Sequence, residues 1–204
     1  MKIKAGRAAV CCLMSCVTPA LAGSASTTTP SPMLGDTLMF EITPEWGTAA
    51  PHAYKDSYAR IGFSHSLGNG FSMGVSITDV IRAAGASTAS SEAGMMYRLK
   101  QDAFTFGIGG SLGYSSDSAA ELYYVATGLA DVKLDDKWTW NIVNMRYRSS
   151  FAHVWVTPRV TTGLSYQIDA RQTTSVAFGY SWKNVGEGLN PDKLGVSLGY
   201  RLGF

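Results

Sequence analysis

Apolar and polar residues alternate with a period of two along most of this chain, most plainly at its end. Leu194, Val196, Leu198, Tyr200, Leu202 and Phe204 share one face of an extended segment. Lys193, Gly195, Ser197, Gly199, Arg201 and Gly203 share the other. A period of two is the signature of a strand with two unlike faces. Short polar breaks interrupt the alternation at Gly68-Asn69-Gly70, Gln101-Asp102-Ala103, Asp135-Asp136-Lys137 and Asp169-Ala170-Arg171. Their centres, 69, 102, 136 and 170, lie 33 or 34 residues apart; one more step reaches Phe204, and one step back reaches Gly35-Asp36. Helical solenoids also repeat near this length, but they need helical spacing of apolar residues. Two alternating stretches per period predict five equal hairpins.

The predicted strands are 37–46, 57–67, 71–80, 92–100, 104–115, 121–134, 138–149, 153–168, 173–183 and 193–204. Together they describe an all-β, up-and-down antiparallel transmembrane β-barrel of ten strands over residues 36–204, with both termini on the short-turn side. Two places threaten the register. Strand 7 changes character between Trp138-Thr139-Trp140 and Arg146-Tyr147-Arg148, and Pro158 interrupts strand 8; a bulge at either site flips every side chain beyond it.

A soluble sandwich would turn its apolar faces inward. The first 22 residues argue for lipid instead. Lys2, Lys4 and Arg7 precede an apolar run from Ala8, and Ala20-Leu21-Ala22 precedes Gly23, the pattern of a cleavable secretory signal. Leu13-Met14-Ser15-Cys16 offers a lipoprotein box as the alternative, with Cys16 acylated. Residues 23–35, with the run SASTTTPSP, read as a disordered leader. Cys11, Cys12 and Cys16 all leave with the signal, so the mature chain has no thiol chemistry. Three of 17 basic residues leave too, and the remaining 14 against 15 acids give a net charge of −1. Nucleic acid is not an expected partner. Trp46, Trp155 and Trp182 fall near the long-loop ends of their strands, and Trp138, Tyr97 and Tyr166 near the short turns. Two such belts suit the two interfaces of a bilayer. The expected location is the outer membrane of a Gram-negative cell. Tyr200, Leu202 and the terminal Phe204 form the expected recognition signal for the barrel-assembly machinery.

The opposite faces carry the candidate chemistry. Gly62, Ser64, Ser66, Ser72, Gly74, Ser76, Gly107, Gly109, Ser111, Gly113, Gly163, Ser165, Gly179, Ser181, Gly195, Ser197 and Gly199 point inward by the alternation. So many small residues predict a narrow water-filled bore; the competing reading is that glycine eases tight curvature and accepts neighbouring aromatics. Arg60, Arg98, Arg146, Arg148, Arg159, Lys183 and Arg201 share this face, opposed within strands by Glu41, Glu45 and Asp131. A basic wall in a low-dielectric shell predicts a monomeric diffusion channel favouring small anionic solutes. The alternative is a plug of arginines paired with carboxylates.

The segment DSYARIGFSHSLGNGFSMGVS (56–76) and the triplet Arg146-Tyr147-Arg148 resemble the oligogalacturonate-specific porin family, in the first hairpin and an Arg-x-Arg wall strand respectively. That resemblance implies an outer-membrane channel for acidic oligosaccharides. It also implies twelve strands, where the period counts ten. An adhesin would carry longer outer loops than the short connections here. A lipid-modifying enzyme would need a catalytic pair, but His65 and Ser66, adjacent on a strand, point to opposite faces. His52 and His153 have no partner motif, and neither metal nor cofactor is expected.

Overall fold

The structure, a computed structural model, describes residues 35–116, 121–152, 155–185 and 188–204. The signal and nearly all of the leader therefore lie outside the described residues, as do His153, Asp117 and Glu187. Ten strands follow one another: β1 (Asp36–Gly47), β2 (Tyr54–Gly68), β3 (Phe71–Arg82), β4 (Thr88–Gln101), β5 (Phe104–Ser115), β6 (Glu121–Lys133), β7 (Trp138–Ser150), β8 (Trp155–Gln167), β9 (Gln172–Val185) and β10 (Asn190–Gly203). Each is antiparallel to its neighbours, and β10 pairs with β1, which closes the ring. The count is ten, not the alternative of twelve. Asp36 N–H donates to the Phe204 carbonyl at 3.2 Å and Phe204 N–H to the Asp36 carbonyl at 3.0 Å, so both ends of the barrel chain meet at the short-turn rim.

The turns at that rim follow from their residues. Asn69 and Gly70 have φ of 51° and 82°, the left-handed pair that a two-residue hairpin needs. Asp135 and Asp169 each accept two backbone N–H groups of their own turn at 2.7–2.8 Å, from Lys137 and Trp138 and from Arg171 and Gln172.

Three strands start three or more residues earlier than the alternation predicts: β2, at Tyr54 rather than 57, and β4 and β10. β4 begins at Thr88 rather than 92, because Thr88-Ala89-Ser90-Ser91 carries no apolar signal yet pairs with Val80 of β3 and Ser115 of β5. β10 begins at Asn190, and Pro191 is accommodated by a register shift that leaves Asp192 unmatched on β9. The suspected bulge in strand 7 is present. Asn141 pairs with Gly163 and Asn144 with Thr161, so two residues, Ile142 and Val143, stand against Thr162 alone. Thr139 and Asn141 are buried before it, Asn144 after it, and the Trp140 and Tyr147 side chains both stay outside. Pro158 faces Tyr147 with no shift.

The outer surface is apolar and the interior polar. Ile42, Ile61, Ile108, Leu112, Leu122, Phe178 and Leu198 stand exposed around the waist, Ile108 at 69%. A water-soluble surface does not carry such a continuous band, whereas lipid selects it. Ring pairs sit above and below it. Phe71–Tyr97 (4.7 Å between centroids) and Trp138–Tyr166 (4.9 Å) lie near the turns, and Tyr124–Phe151 (5.2 Å) and Tyr180–Trp182 (4.6 Å) near the loops. The Trp155 side chain is outside the description.

Inward glycines turn out to be sockets. A Cβ on Gly113 would lie 2.2 Å from the Tyr123 ring, and one on Gly107 would lie 2.8 Å from Leu129 Cγ. Ring curvature brings neighbouring strands' inner side chains together, and glycine yields the room. Gly113→Ala is therefore expected to destabilise the barrel by about 1–3 kcal/mol through overpacking. In a Tyr123→Ala background the same change should cost far less, and urea titration of the folded gel-shifted form in detergent measures that coupling.

Candidate functional site

The loop half of the barrel holds a cavity of about 470 Å³. Its walls are the loop-side ends of all ten strands, because only those positions of each strand face inward beyond the packed middle. Among the described residues, seven cations line it (Arg60, Arg82, Arg146, Arg148, Arg159, Lys183, Lys193), against six acids (Glu41, Glu45, Asp56, Glu92, Glu121, Asp192).

Two carboxylates organise this wall. Glu92, on β4, accepts from Arg60 Nη2 of β2 at 3.1 Å, from Tyr123 Oη of β6 at 3.1 Å, and from Arg146 of β7. The Arg148 guanidinium lies 3.8 Å from the centroid of the Tyr123 ring, close enough for a cation–π contact. Glu45, on β1, pairs with Arg159 of β8 at 3.1 Å and with Lys193 of β10 at 3.3 Å. Lys193 also bonds Asp56 and donates to Tyr58 Oη at 2.9 Å. The Glu45–Lys193 and Arg148–Tyr123 links bridge paired strands, whereas the others join strands that are not neighbours in the sheet and run across the interior.

The turn half is different. Met39, Met96 and Leu129 are buried there with Asp131, Asn141, Ser165 and Thr173. Asn141 Nδ2 donates to Asp131 Oδ1 at 2.8 Å, and Ser165 Oγ donates to Asn141 Oδ1 at 3.3 Å. Arg98 Nη1 reaches Ser72 Oγ at 3.5 Å, and Arg98 and Arg201 both feel the charge of Asp131.

The ten residues expected on the inner wall thus divide by height. Glu41, Glu45, Arg60, Arg146, Arg148, Arg159 and Lys183 border the cavity, whereas Arg98, Arg201 and Asp131 belong to the packed turn half. The expected charge balance needs correction. Reading acids within strands leaves three opposing seven cations, but Glu92, the fifth residue of β4, Glu121, the first of β6, Asp56 and Asp192 line the cavity too. Lys193 shares the polar face of the last strand, but nothing local marks it, Tyr58 or Tyr123 as partners within the lumen. Gly/Ser content likewise overstated the empty space, since Tyr123, Leu129 and Met96 fill it.

At the turn rim, His65 Nδ1 lies 2.5 Å from Asp36 Oδ1, on the opposite face of β2 from Ser66. His52 Nδ1 meets the Gly47 carbonyl at 3.1 Å in a loop. Tyr200 donates to Gln172 Oε1 at 2.8 Å, Leu202 pairs with Gln172 in the ladder, and Phe204 is 63% exposed beside Phe63, 6.3 Å between centroids.

No protein-family model and no curated protein sequence matches the chain. Solved structures do. An outer-membrane channel from Pseudomonas putida F1 aligns over 87% of this chain and 100% of its own, at 9% identity and a TM-score of 0.52. The NanC porin aligns over 81% of this chain and 100% of its own, at 10% identity and a TM-score of 0.50. The KdgM porin in complex with disordered oligogalacturonate aligns over 82% and 99%, at 16% identity and a TM-score of 0.48. The fold is that of a small outer-membrane β-barrel. At these identities the likeness extends to the fold alone.

Each carboxylate node should be separable by mutation. Arg159→Met leaves Glu45 its Lys193 partner, and an expected cost of about 1 kcal/mol follows for a partly exposed pair. Glu45→Met strips Arg159 and Lys193 of a shared buried carboxylate and should cost about 3 kcal/mol. Urea unfolding of both variants in lipid vesicles checks the order.

Proposed function

We propose that this barrel is an outer-membrane diffusion channel for small anionic solutes, entered through the charged vestibule of its loop half. The observation that carries the reading is the vestibule itself. Among the described residues thirteen charged side chains face a cavity of about 470 Å³ inside an apolar shell, an arrangement that calls for water and passing solutes. The cation excess among these side chains is one, so the expected anion preference is modest. Oligogalacturonate accompanies one similar porin, and the Arg146-Tyr147-Arg148 strand is that family's resemblance here. A ten-stranded ring with a packed turn half favours single small anions over a sugar chain. The same reading makes residues 1–22 an export signal, the barrel a monomer in outer-membrane lipid, and Tyr200, Leu202 and Phe204 the handle for barrel assembly. Deleting Phe204 is expected to lower the yield of assembled barrel, measured by heat-modifiable gel mobility, while assembled molecules behave as wild type.

A second reading has its own observation. Met39, Met96, Leu129, Arg98, Asp131 and Arg201 fill the turn half, as they would in a barrel that does not conduct. Single-channel recording in planar bilayers separates the two. The wild type is expected to conduct with a reversal potential on the anion side. Arg148→Glu with Lys183→Glu changes the wall by four charge units and spares the groups that hydrogen-bond Glu92 and Glu45. It should move the reversal potential toward cations, more at 0.1 M salt than at 1 M, where the screening length falls from about 10 to about 3 Å. Met39→Ala with Met96→Ala should raise conductance. Silence of the wild type and of the methionine variant would establish the closed barrel.

A further inference from the structure

Glu92 is the carboxylate on which the vestibule wall converges. Its two oxygens are held by Arg60, Arg146 and the Tyr123 hydroxyl, three donors from three strands, inside the wall of the vestibule. Its side chain is only 3% exposed, whereas Arg146 keeps 21% of its side chain open. Tyr123, fully buried in its Gly113 socket, fixes its hydroxyl and presents its ring to Arg148, which also borders the cavity.

Arg60, Arg146 and Arg148 act on Glu92, and Glu41, which accepts from Thr43 at 3.2 Å, acts on Arg146. Guanidinium forks match carboxylates in shape as well as charge, and the Arg146 Nε–H is buried with no hydrogen-bond acceptor among the described residues.

We propose that Arg60, Arg146, Arg148 and Tyr123 form a carboxylate-binding clamp in which Glu92 is the resident occupant and a solute carboxylate its competitor. Glu92 then sets how tightly the vestibule holds an organic acid. With Glu92 in place a solute carboxylate is shared with the clamp and released; with Glu92 removed it is retained. This rests on the vestibule admitting solutes, but not on the barrel conducting.

The test is calorimetric titration of the purified barrel, folded in detergent, with acetate as the probe and sulfate and glucose as comparisons. The wild type is expected to bind acetate saturably in the millimolar range, sulfate more weakly, and glucose not at all. Glu92→Ala vacates the clamp by the size of one carboxylate arm, and acetate affinity should rise about tenfold, the worth of a charge-assisted hydrogen bond set. Arg148→Gln should lower wild-type affinity by a similar factor. Should Glu92→Ala fail to fold without ligand, Glu92→Gln keeps the side-chain volume and is expected to bind acetate more tightly than wild type, by a smaller factor. Acetate also should restore the folded gel mobility of Glu92→Ala, where glucose does not. Equal binding of acetate and sulfate by the wild type would reduce the cluster to diffuse charge and overturn the proposal. A folded Glu92 variant with unchanged acetate affinity would overturn it as well. A barrel that binds acetate yet passes no current would instead remove the channel reading and leave the clamp standing.

Discussion

Everything in this molecule depends on β10 reaching β1. In hydrocarbon an unpaired backbone N–H or C=O costs several kcal/mol, so a sheet within a bilayer cannot keep an edge. The Asp36–Phe204 backbone pair and the ladder from Thr37↔Gly203 to Gly47↔Lys193 remove that edge. Closure at ten strands then fixes the radius, and the radius fixes what fits inside. Ten strands leave more room than their small inner residues can fill and less than a wide pore needs. Large side chains are therefore seated against glycines on adjacent strands, Tyr123 over Gly113, Leu129 over Gly107, Met39 over Gly62.

Charged groups inside the ring answer a different constraint. A buried ion pair returns little net stability once desolvation is counted, yet losing one partner is costly. The pairs of Glu45 and Glu92 span β1–β8, β1–β10, β2–β4 and β4–β7. Their physical consequence is geometric: long guanidinium arms are pulled to defined places on the wall instead of wandering through the lumen. The β7 bulge at Ile142-Val143 is part of this arrangement. It lets Trp138 and Trp140 meet lipid while Arg146 and Arg148, further along the same strand, face water.

The fold was readable because each of its signals is local. Period-two alternation, two-residue turns such as Asn69-Gly70 and the 33–34 residue spacing all lie within one hairpin, and the strand count and facing followed from them. The change of character in strand 7 even marked its bulge. Thr88 to Ser91 escaped because small hydroxyl residues look alike in a strand or a loop, and only the ladders to β3 and β5 decide. The site was legible to the level of facing and no further. Glu92 lies 54 residues from Arg146, and Glu45 lies 148 from Lys193. Such partners are brought together by ring closure, which no window of sequence contains. Glycine misled for the same reason, since whether its space is empty depends on the strand beside it.

That distinction bears on the channel reading proposed above. Counting charges strand by strand makes the interior look like a uniformly basic tube. Placed in the ring, Arg98, Arg201 and Asp131 fall in the packed turn half, and the vestibule above balances seven cations with six acids. A solute in so narrow a space does not sample the average. Within a low-dielectric shell its energy is set by the nearest few groups, because interactions between charges there are screened far less than in bulk water. The Glu92 cluster gathers Arg60, Arg146 and Arg148 around one carboxylate, whereas the Glu45 cluster sets Lys193 and Arg159 against Glu45 and Asp56. Under the channel reading proposed above, preference for one sign of solute is set by these local clusters, and the near-neutral total is no argument against it.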